Sequence, residues 1–323
     1  MNKILEIPEG ENIKYDKQAE KMQVYKQLCE SLESRDRKNK KIITCEVIAA
    51  KINENTTQEF RVCAQCIYKN FFILVPMYLM GFILPEGRES ITPKEKEAAF
   101  TSYIRAMKGA TIDVIIEGIN IEESIAIGNR EKAMEYKREL CYFRTGKSGM
   151  SMMERAFRDE NFVQARVVTV KQKQVFVDLM GLTVEIYARD VVHVFTEDLH
   201  KVISVGDIVP VKIKRLAIDR ENKLIDTYVS IKDATENRTV KNMKYYTTGS
   251  EYLGIVTNIR NGYYVQIGSG DLCVDVFCKN YNTPDGIAPR KGDKVSVVIA
   301  FKDLDNSRLF GHINEVVSHA TYA

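Results

Sequence analysis

The stretch 251–313 constrains the fold of this chain more than any other, because each part of it has the pattern of a strand or a turn. Tyr263, Val265 and Ile267 alternate with outward positions, which is the period of a half-buried strand. The dipeptide Asn261-Gly262 before them is a hairpin signal between two apolar runs. Further strands are predicted to begin near positions 255, 272, 295 and 308, so the stretch is predicted to form a small closed barrel.

A second copy of this pattern lies about 88 residues upstream, which indicates a tandem repeat. Four segments correspond in the same order, and each correspondence falls on a predicted strand or turn. They are Val168-Thr169 with Val256-Thr257, Val175–Leu179 with Tyr263–Ile267, Val184–Tyr187 with Val274–Phe277, and Val205–Val209 with Lys291–Val295.

A third, more divergent barrel is predicted in the first half of the chain, with a helix inserted between its strands. Thr92 suits the N-cap of that helix, Pro93 its first position, and Glu95 completes a capping box. The predicted fold class is therefore mainly β: three tandem five-stranded OB-type barrels with an N-terminal helix and short inserted helices. The predicted domains are 1–41 (tail and amphipathic helix), 42–143 (first barrel), 144–160 (linker), 161–233 (second barrel), 234–250 (linker) and 251–323 (third barrel).

The N-terminal helix is predicted after a tail of about a dozen residues, because Met22, Tyr25, Leu28 and Leu32 recur at helical spacing. This apolar stripe suits docking on the first barrel, and it also suits pairing with another chain. Docking on its own domain is the simpler interpretation.

Four elements of the third barrel occur in a recognisable order: Gly254-x-Val256, Asn261–Val265, Lys291-Gly292-Asp293-x-Val295 and Asp305…Arg308-Leu309. This order resembles the RNA-binding domain repeated in bacterial ribosomal protein S-one. Two positions depart from the family's pattern, since Asn261 replaces the usual Phe before the hairpin Gly and Phe277 replaces the third-strand His. The resemblance implies an OB-type fold and RNA as the ligand.

The first barrel contains three further elements, namely Leu74-Val75-Pro76, Gly109–Ile116 and Asn129–Met134. They resemble the first domain of S-one-like proteins that are encoded in prophages and phages of Gram-positive bacteria. This finer resemblance implies that the chain functions in a bacterial host cell or in a virion.

The composition is that of an ordinary globular chain, with 45% hydrophobic and 28% charged residues. The net charge of +3 is too small to demand a polyanionic partner. We expect no signal peptide and no membrane partner, because the most apolar run, 71–84, is too short to span a bilayer. Seven cysteines without the spacing of a disulfide framework predict reduced thiols and a cytoplasmic location.

Motifs that could support catalysis or hold a metal are weak. Gly146-Lys147-Ser148 lacks the earlier glycine of a phosphate-binding loop, since position 141 is a cysteine. Cys63 and Cys66 lie on a predicted strand that directs their sulfurs to opposite faces, and no further zinc ligands follow at knuckle spacing. Small core and edge residues are the favoured interpretation. We therefore predict no catalytic residue, no metal site and no cofactor.

The predicted binding site consists of outward-facing aromatic side chains on the second and third strands of the two repeated barrels. Such pairs form a platform on which single-stranded bases stack, at roughly 1–3 kcal/mol per base, and nearby cations meet phosphates. In the first barrel Leu74 and Val75 occupy the corresponding third-strand positions. The predicted nucleic-acid-binding residues are Phe176, Tyr187, Lys171, Lys173, Arg189 and Lys214 in the second barrel, and Tyr264, Phe277, Arg260, Lys279 and Arg308 in the third.

Two functions remain open at this point. The first is non-enzymatic binding of single-stranded RNA by base stacking on the tandem barrels. The alternative is a phage virion structural protein, a head or capsid accessory or decoration component, whose barrels bind other phage structural proteins or further copies of this chain. The aromatic face distinguishes them, because it would be exposed and surrounded by Lys and Arg in the first case and covered by another subunit in the second.

Overall fold

The computed structural model describes residues 9–53, 61–82, 92–193, 196–283, 286–304 and 308–320. The chain divides into two compact units: residues 1–191 with 195–234, and residues 192–194 with 235–323. Strands dominate both units and form three five-stranded sheets, two of which close into barrels. The prediction of a mainly β chain with tandem OB-type domains is thus confirmed.

The first unit begins with helix α1 (Glu9–Ser34) and a closed barrel. The barrel's order is β1-β2-β3-β5-β4, with β3 and β5 parallel, and alternate apolar residues fill its core. Thr92 caps helix α2 as predicted, since its hydroxyl accepts from the backbone of Glu95 and the Glu95 carboxylate accepts from the backbone of Thr92. The elements are β1 (Ile43–Ile52), β2 (Val62–Tyr68), β3 (Phe71–Pro76), α2 (Pro93–Ala106), β4 (Thr111–Asn120) and β5 (Ile125–Asn129).

Helix α1 docks on the first barrel, which confirms the simpler of the two interpretations. Val24 and Leu28 are fully buried in the core that the barrel strands form. The hydroxyl of Ser31 accepts from the backbone N–H of Ile116 at 3.2 Å and so connects the helix to β4. The predicted stripe was wrong at one position, because Met22 is 57% exposed and Val24 takes its place in the core.

The second sheet has the order β10-β9-β6-β7-β8, with β8 and β10 at its two ends. Among the described residues no hydrogen-bonded ladder joins these end strands, so this domain is a near-barrel instead of the predicted closed one. Its elements, with the helices that precede it, are α3 (Arg130–Arg138), α4 (Met152–Arg158), β6 (Val163–Val170), β7 (Gln174–Leu179), β8 (Leu182–Tyr187), α5 (Ala188–Val191), β9 (Ile208–Asp219) and β10 (Leu224–Ser230).

A buried cluster of four charges joins the first and second sheets of this unit. Lys137 of α3 donates to Asp113 of β4 at 2.8 Å and to Asp178 of β7 at 2.9 Å. Arg166 of β6 donates to Asp113 at 3.0 Å through Nη1, with a second bond through Nη2. Only 5% of the Asp113 side chain and 4% of the Asp178 side chain are exposed. Two cations therefore balance two carboxylates away from water, the condition under which buried charges are tolerated.

The second unit contains helix α6 and a closed barrel of order β11-β12-β13-β15-β14, in which β13 and β15 are parallel. The predicted hairpin is confirmed, since Asn261 and Gly262 both have positive φ (53° and 141°) and connect the antiparallel strands β11 and β12. The elements are α6 (Arg238–Asn242), β11 (Glu251–Ile259), β12 (Tyr263–Ile267), β13 (Val274–Tyr281), β14 (Lys294–Asp303) and β15 (Arg308–Ser318).

One turn is repeated in all three domains. In each domain a glycine with φ near 90° lies just before the fourth strand. Its N–H donates to a valine carbonyl of the first strand, at 2.8, 2.9 and 2.8 Å in the three domains. The N–H of the valine in turn donates to the carbonyl of the residue after the glycine. This geometry shows that the divergent first barrel shares the repeat. The three pairs are Gly109 with Val47, Gly206 with Val167, and Gly292 with Val256.

Several local predictions need correction. The predicted linker 144–160 contains α4, which a capping box of Ser151 and Glu154 begins, and α1 takes in the last residues of the predicted N-terminal tail. Cys63 and Cys66 are both fully buried, and burial raises the pKa of the Cys63 thiol to about 11. Asp305, which contributed to the S-one resemblance, lies outside the described residues.

Candidate nucleic-acid interface

Four aromatic rings form a row across the outer surface of the third barrel. Tyr264 of β12 lies directly opposite Phe277 of β13, which lies opposite Phe310 of β15, which lies opposite Phe301 of β14. Successive ring centroids are 5.1, 6.1 and 6.0 Å apart. The inward neighbours Val265, Val276 and Leu309 are buried, so the row lies on the face turned away from the core. We call these four side chains the aromatic row.

A β-bulge brings the fourth ring into the row. Val295, Val297 and Ile299 of β14 point inward, and simple alternation would direct Phe301 inward as well. The pairing with β15 shifts between Ile299 and Phe301, which reverses the alternation and turns Phe301 outward. Its ring is 56% exposed and stacks on Phe310 with an interplanar angle of 27°. The sequence prediction found Tyr264 and Phe277 but missed these other two members.

Exposed cations stand beside the aromatic row. Lys279 follows Phe277 by two residues on the outer face of β13, and Arg308 precedes Phe310 by two residues on β15. Arg260 is exposed in the hairpin next to Lys279. A shallow pocket of about 420 Å³ lies at this end of the row, lined by Lys279, Tyr263 and Tyr281 among others. The three cations predicted for this barrel therefore lie on or beside the face that carries the rings.

Two acidic groups lie on this face, and one of them, Asp303 of β14, lies directly opposite Arg308. Asp275 lies two residues before Phe277 on β13, opposite Gln266 of β12. Burial raises the pKa of the Asp275 carboxyl to about 6. Because an ionised carboxylate repels phosphate, this residue makes the face more receptive to a polyanion when it is protonated.

The second sheet carries different side chains at the positions that correspond to the aromatic row. Its strand pairing places Glu185 of β8 opposite Phe176, where the third barrel has Phe277 opposite Tyr264. On the other side, Tyr228 lies opposite Arg215 beside the bulge, where the third barrel has Phe310 opposite Phe301. The row is thus half polar. The Tyr228 hydroxyl donates to Asp190. The Arg215 guanidinium pairs with Asp226 at 3.1 Å.

This pairing corrects two of the sequence correspondences. The counterpart of Phe277 is Glu185, and Tyr187 lies two residues further along β8, opposite Gln174. The bulge of the first strand places Val167, not Val168, at the level of Val256. Phe176 and Tyr187 are diagonal neighbours instead of a direct pair. In the third barrel, the residue that corresponds to Tyr187 is Lys279.

The predicted cations of the second sheet have defined partners. Lys171 Nζ lies 4.8 Å from the centroid of the Phe176 ring, and the Arg189 guanidinium lies 5.9 Å from that of Tyr187. Arg189 also pairs with Asp190 at 3.2 Å, and Lys214 pairs with Asp233. Lys173 is exposed. Two of these cations, Lys171 and Arg189, therefore lie over the aromatic rings, and two, Arg189 and Lys214, are already paired with carboxylates.

The first barrel has no ring in its row. The equivalent positions are occupied by Gln65, Leu74, Ile127 and Gly118, which follow one another across the strands. Leu74 faces outward as predicted, but Val75 is fully buried and belongs to the core. Among the three domains, the third alone has four aromatic side chains at this level.

The described part of the chain contains neither a cluster of metal-ligating side chains nor a membrane-spanning helix. There, no three His, Cys, Asp or Glu side chains converge to form a possible metal site. None of the described helices is both long and apolar enough to cross a membrane.

Comparison with known proteins identifies a distant relative. No family model matches the chain. The chain is 24% identical over 236 residues to small ribosomal subunit protein bS1 of Staphylococcus aureus strains MRSA252 and COL, an alignment that covers 71% of this chain and 57% of that protein. The chain is therefore a distant homologue of bS1, and the aligned part spans little more than half the length of these relatives.

Solved structures give a weaker likeness. A multidomain protein with nucleic acid binding domains from Streptococcus pneumoniae is 11% identical, with a TM-score of 0.17 and coverage of 84% of this chain and 73% of that one. Drosophila Unr CSD456 is 11% identical, with a TM-score of 0.19 and coverage of 87% and 99%. Scores this low do not relate the whole chains to each other.

Proposed function

We propose that this protein binds single-stranded RNA without catalysing a reaction, and that the aromatic row of the third barrel is its principal binding surface. Bases stack on the rings of Tyr264, Phe277, Phe310 and Phe301, and Lys279, Arg308 and Arg260 contact the phosphates. The distant relationship to a ribosomal subunit protein supports RNA as the ligand and the cytoplasm as the location.

The aromatic row is the observation that carries this proposal. Four rings in direct cross-strand succession have centroids 5.1–6.1 Å apart, and an aromatic surface of this kind accepts any base because every base has a π-face. The alternate residues already fill the core, and Phe301 remains 56% exposed, so its ring gains little from folding. Binding of a ligand that stacks on the rings therefore explains the aromatic row better than a contribution to folding stability does.

The second sheet contributes a weaker platform under this proposal. Phe176, with Lys171 over its ring, and Tyr187, with Arg189 over its ring, remain the proposed contacts, with Lys173 and Lys214 for phosphates. Their diagonal placement and the intervening Glu185 reduce the number of bases that can stack side by side. We therefore expect the third barrel to supply most of the affinity and the second sheet a smaller share.

Fluorescence anisotropy with a labelled single-stranded RNA of about 20 nucleotides tests the proposal over a salt series. The variants are Phe301→Ala and Tyr264→Ala, with Tyr245→Ala as the matched control, because Tyr245 is a 58% exposed aromatic residue of the same unit outside the row. We expect each row variant to weaken binding by about 1–3 kcal/mol. The control is expected to bind like the wild type, and affinity is expected to fall with salt.

The same experiment addresses the virion alternative. No comparison favours a phage structural protein, and in the single chain Phe301 is 56% exposed while the other three rings of the row are half-buried. Absence of RNA binding at low salt by the folded protein, together with self-association that Phe301→Ala abolishes in analytical ultracentrifugation, would refute the RNA proposal in favour of assembly through the same face.

A further inference from the structure

A pocket of about 400 Å³ lies in the first unit, where α3 and the loop after β3 approach β8. Its walls include the apolar side chains of Met77, Phe82, Met134 and Leu182, and the ring of Tyr78 stands at its edge with 47% exposure. The volume falls in the usual range of small-molecule sites, roughly 300–1,000 Å³. The RNA surface proposed above lies on other residues, so this pocket requires its own explanation.

The pocket contains a buried arginine without an acidic partner. Arg130, the first residue of α3, is only 4% exposed, and its Nη1 donates to the carbonyl of Met80 at 2.9 Å. In the part of the chain that the structure describes, no carboxylate forms a salt bridge with it. A buried charge is normally paired, because the low dielectric penalises an isolated ion.

The unbonded nitrogens of Arg130 are directed at the pocket. Every fully buried side-chain nitrogen or oxygen among the described residues has a hydrogen-bond partner. The guanidinium nitrogens that make no bond must therefore reach the open space, and the pocket is the space that this residue lines. An arginine held in this way presents a rigid fork of donors to whatever occupies the pocket.

Two more cations line the same space. Arg138 donates to the carbonyl of Gly181 at 2.9 Å, and Lys96 of α2 is exposed; neither forms a salt bridge within the described ranges. Glu131 is the one carboxylate among the lining residues, and it pairs with none of these cations. The N-terminus of α3 adds the positive end of a helix dipole beside Arg130. Three cations against one carboxylate leave the pocket electropositive.

We propose that this pocket binds a nucleoside phosphate. Two guanidinium forks and an ammonium suit the several oxygens of a phosphate dianion, whereas a carboxylate is satisfied by a single fork. The apolar wall and the ring of Tyr78 accommodate the base beside the charged end. The nucleoside phosphate is either a free nucleotide or the 5′ end of an RNA, which present the same chemistry.

Isothermal titration calorimetry of the full chain with ADP, pyrophosphate and adenosine tests this inference. The variant Lys96→Ala has a matched control in Lys94→Ala, because both lysines are exposed on α2 and only Lys96 lines the pocket. We expect Lys96→Ala to weaken ADP binding by roughly tenfold, the usual loss for one charge-assisted contact, and Lys94→Ala to leave it unchanged. Arg130→Lys, which keeps the charge but loses the fork, is expected to weaken it further.

The outcomes separate cleanly. No ADP binding at millimolar concentration, or equal binding by wild type and Lys96→Ala, would overturn the site; pyrophosphate binding as tightly as ADP would overturn the place assigned to the base. Displacement of ADP by a 5′-phosphorylated RNA, but not by its 5′-hydroxyl counterpart, would identify the RNA end as the source, and ADP binding without such displacement would identify the free nucleotide. Phe301→Ala is expected to retain ADP binding, so failure of the RNA proposal is distinguishable from failure of the nucleoside phosphate site.

Discussion

Removal of Lys137 provides a sharp test of how the first and second sheets are joined. In the substitution Lys137→Met, the aliphatic stem keeps its packing, and Arg166 is the one cation among the described residues that still pairs with Asp113 and Asp178. Two neutral donors also remain, the Thr44 hydroxyl on Asp113 and the Gly181 N–H on Asp178. The two carboxylates are 5% and 4% exposed, so water cannot replace the lost cation. Breaking a buried ion pair from one side destabilises by about 3–5 kcal/mol. For a unit of this size that corresponds to a fall in Tm of roughly 6–20 °C.

Differential scanning calorimetry at neutral pH measures this fall, with Lys132→Met as the control. Lys132 lies on the same helix and pairs with Asp36 at 3.3 Å and Glu117 at 3.5 Å, but the Asp36 side chain is 75% exposed. A surface pair of this kind contributes about 0–1 kcal/mol. If Lys137→Met unfolds at the same temperature as Lys132→Met, the buried cluster does not stabilise the junction and the reasoning is refuted.

Acid provides the second arm of this test. Burial alone would raise the pKa of Asp113, but hydrogen bonds from Arg166 and the charge of Lys137 outweigh it and hold that pKa at about 2, below its ordinary 3.8. The stabilisation from the ionised form is therefore complete above pH 3.8 and is lost as the pH falls towards 2. The difference between wild type and Lys137→Met, measured by urea unfolding, is accordingly expected to shrink over that interval.

Three further predictions concern the aromatic face. Gly262→Ala should destabilise the second unit by about 1–3 kcal/mol in urea unfolding, because its φ is 141° and a Cβ would lie 2.6 Å from the ring of Phe277; wild-type stability would contradict this. Burial raises the pKa of Asp275 to about 6, so the protonated carboxyl stabilises the folded state at low pH. This stabilisation is lost as the pH rises through 6. Asp275→Asn should therefore remove a fall in stability of roughly 3 kcal/mol between the ordinary carboxyl pKa of 3.8 and a pH of about 6, and an unchanged pH profile would count against a desolvated carboxyl. Glu185→Phe should tighten RNA binding in the anisotropy assay by about 1 kcal/mol or more, since it places a ring directly opposite Phe176, and Glu221→Phe on an exposed turn is the control.

Features that depend on neighbouring residues were predictable from the sequence. The capping box at Thr92 needs only Glu95 three residues later, and the hairpin at Asn261-Gly262 needs only two residues that tolerate positive φ. Each forms the same structure whatever the rest of the chain does. For the same reason the strand periodicity of the third barrel predicted which of its residues face inward.

Features that depend on register were not predictable in the same way. The strands β7 and β8 are joined by the tight turn at Met180-Gly181, whereas β12 and β13 are separated by a longer connection, and this difference shifts the pairing by two residues. A sequence match aligns similar residues and has no means of detecting the shift. It therefore placed Tyr187 at the position that Glu185 occupies.

The bulge on β14 had the same effect on the candidate site. Alternation assigns Phe301 to the core, and only the extra residue opposite β15 turns it outward beside Phe310. The buried charge cluster was missed for a related reason, since Asp113, Lys137 and Arg166 come from separate elements and have no sequence spacing in common. Such features are set by tertiary packing, which local patterns do not report.

Comparison of the three rows shows how one scaffold is used in different ways. The glycine turn and the bulged pairing of the first two strands are common to all three domains, but among the described residues only the first and third domains pair their third strand with their fifth. The first barrel has no ring at this level, the second sheet has Phe176 and Tyr228, and the third barrel has four rings. The third barrel therefore differs from the second sheet both in its four rings and in the closure of its strands. Glu185→Phe adds a ring and leaves the strand pairing of the second sheet unchanged, so a gain in RNA binding would show that the ring is sufficient, and no gain would indicate that closure of the barrel is needed as well.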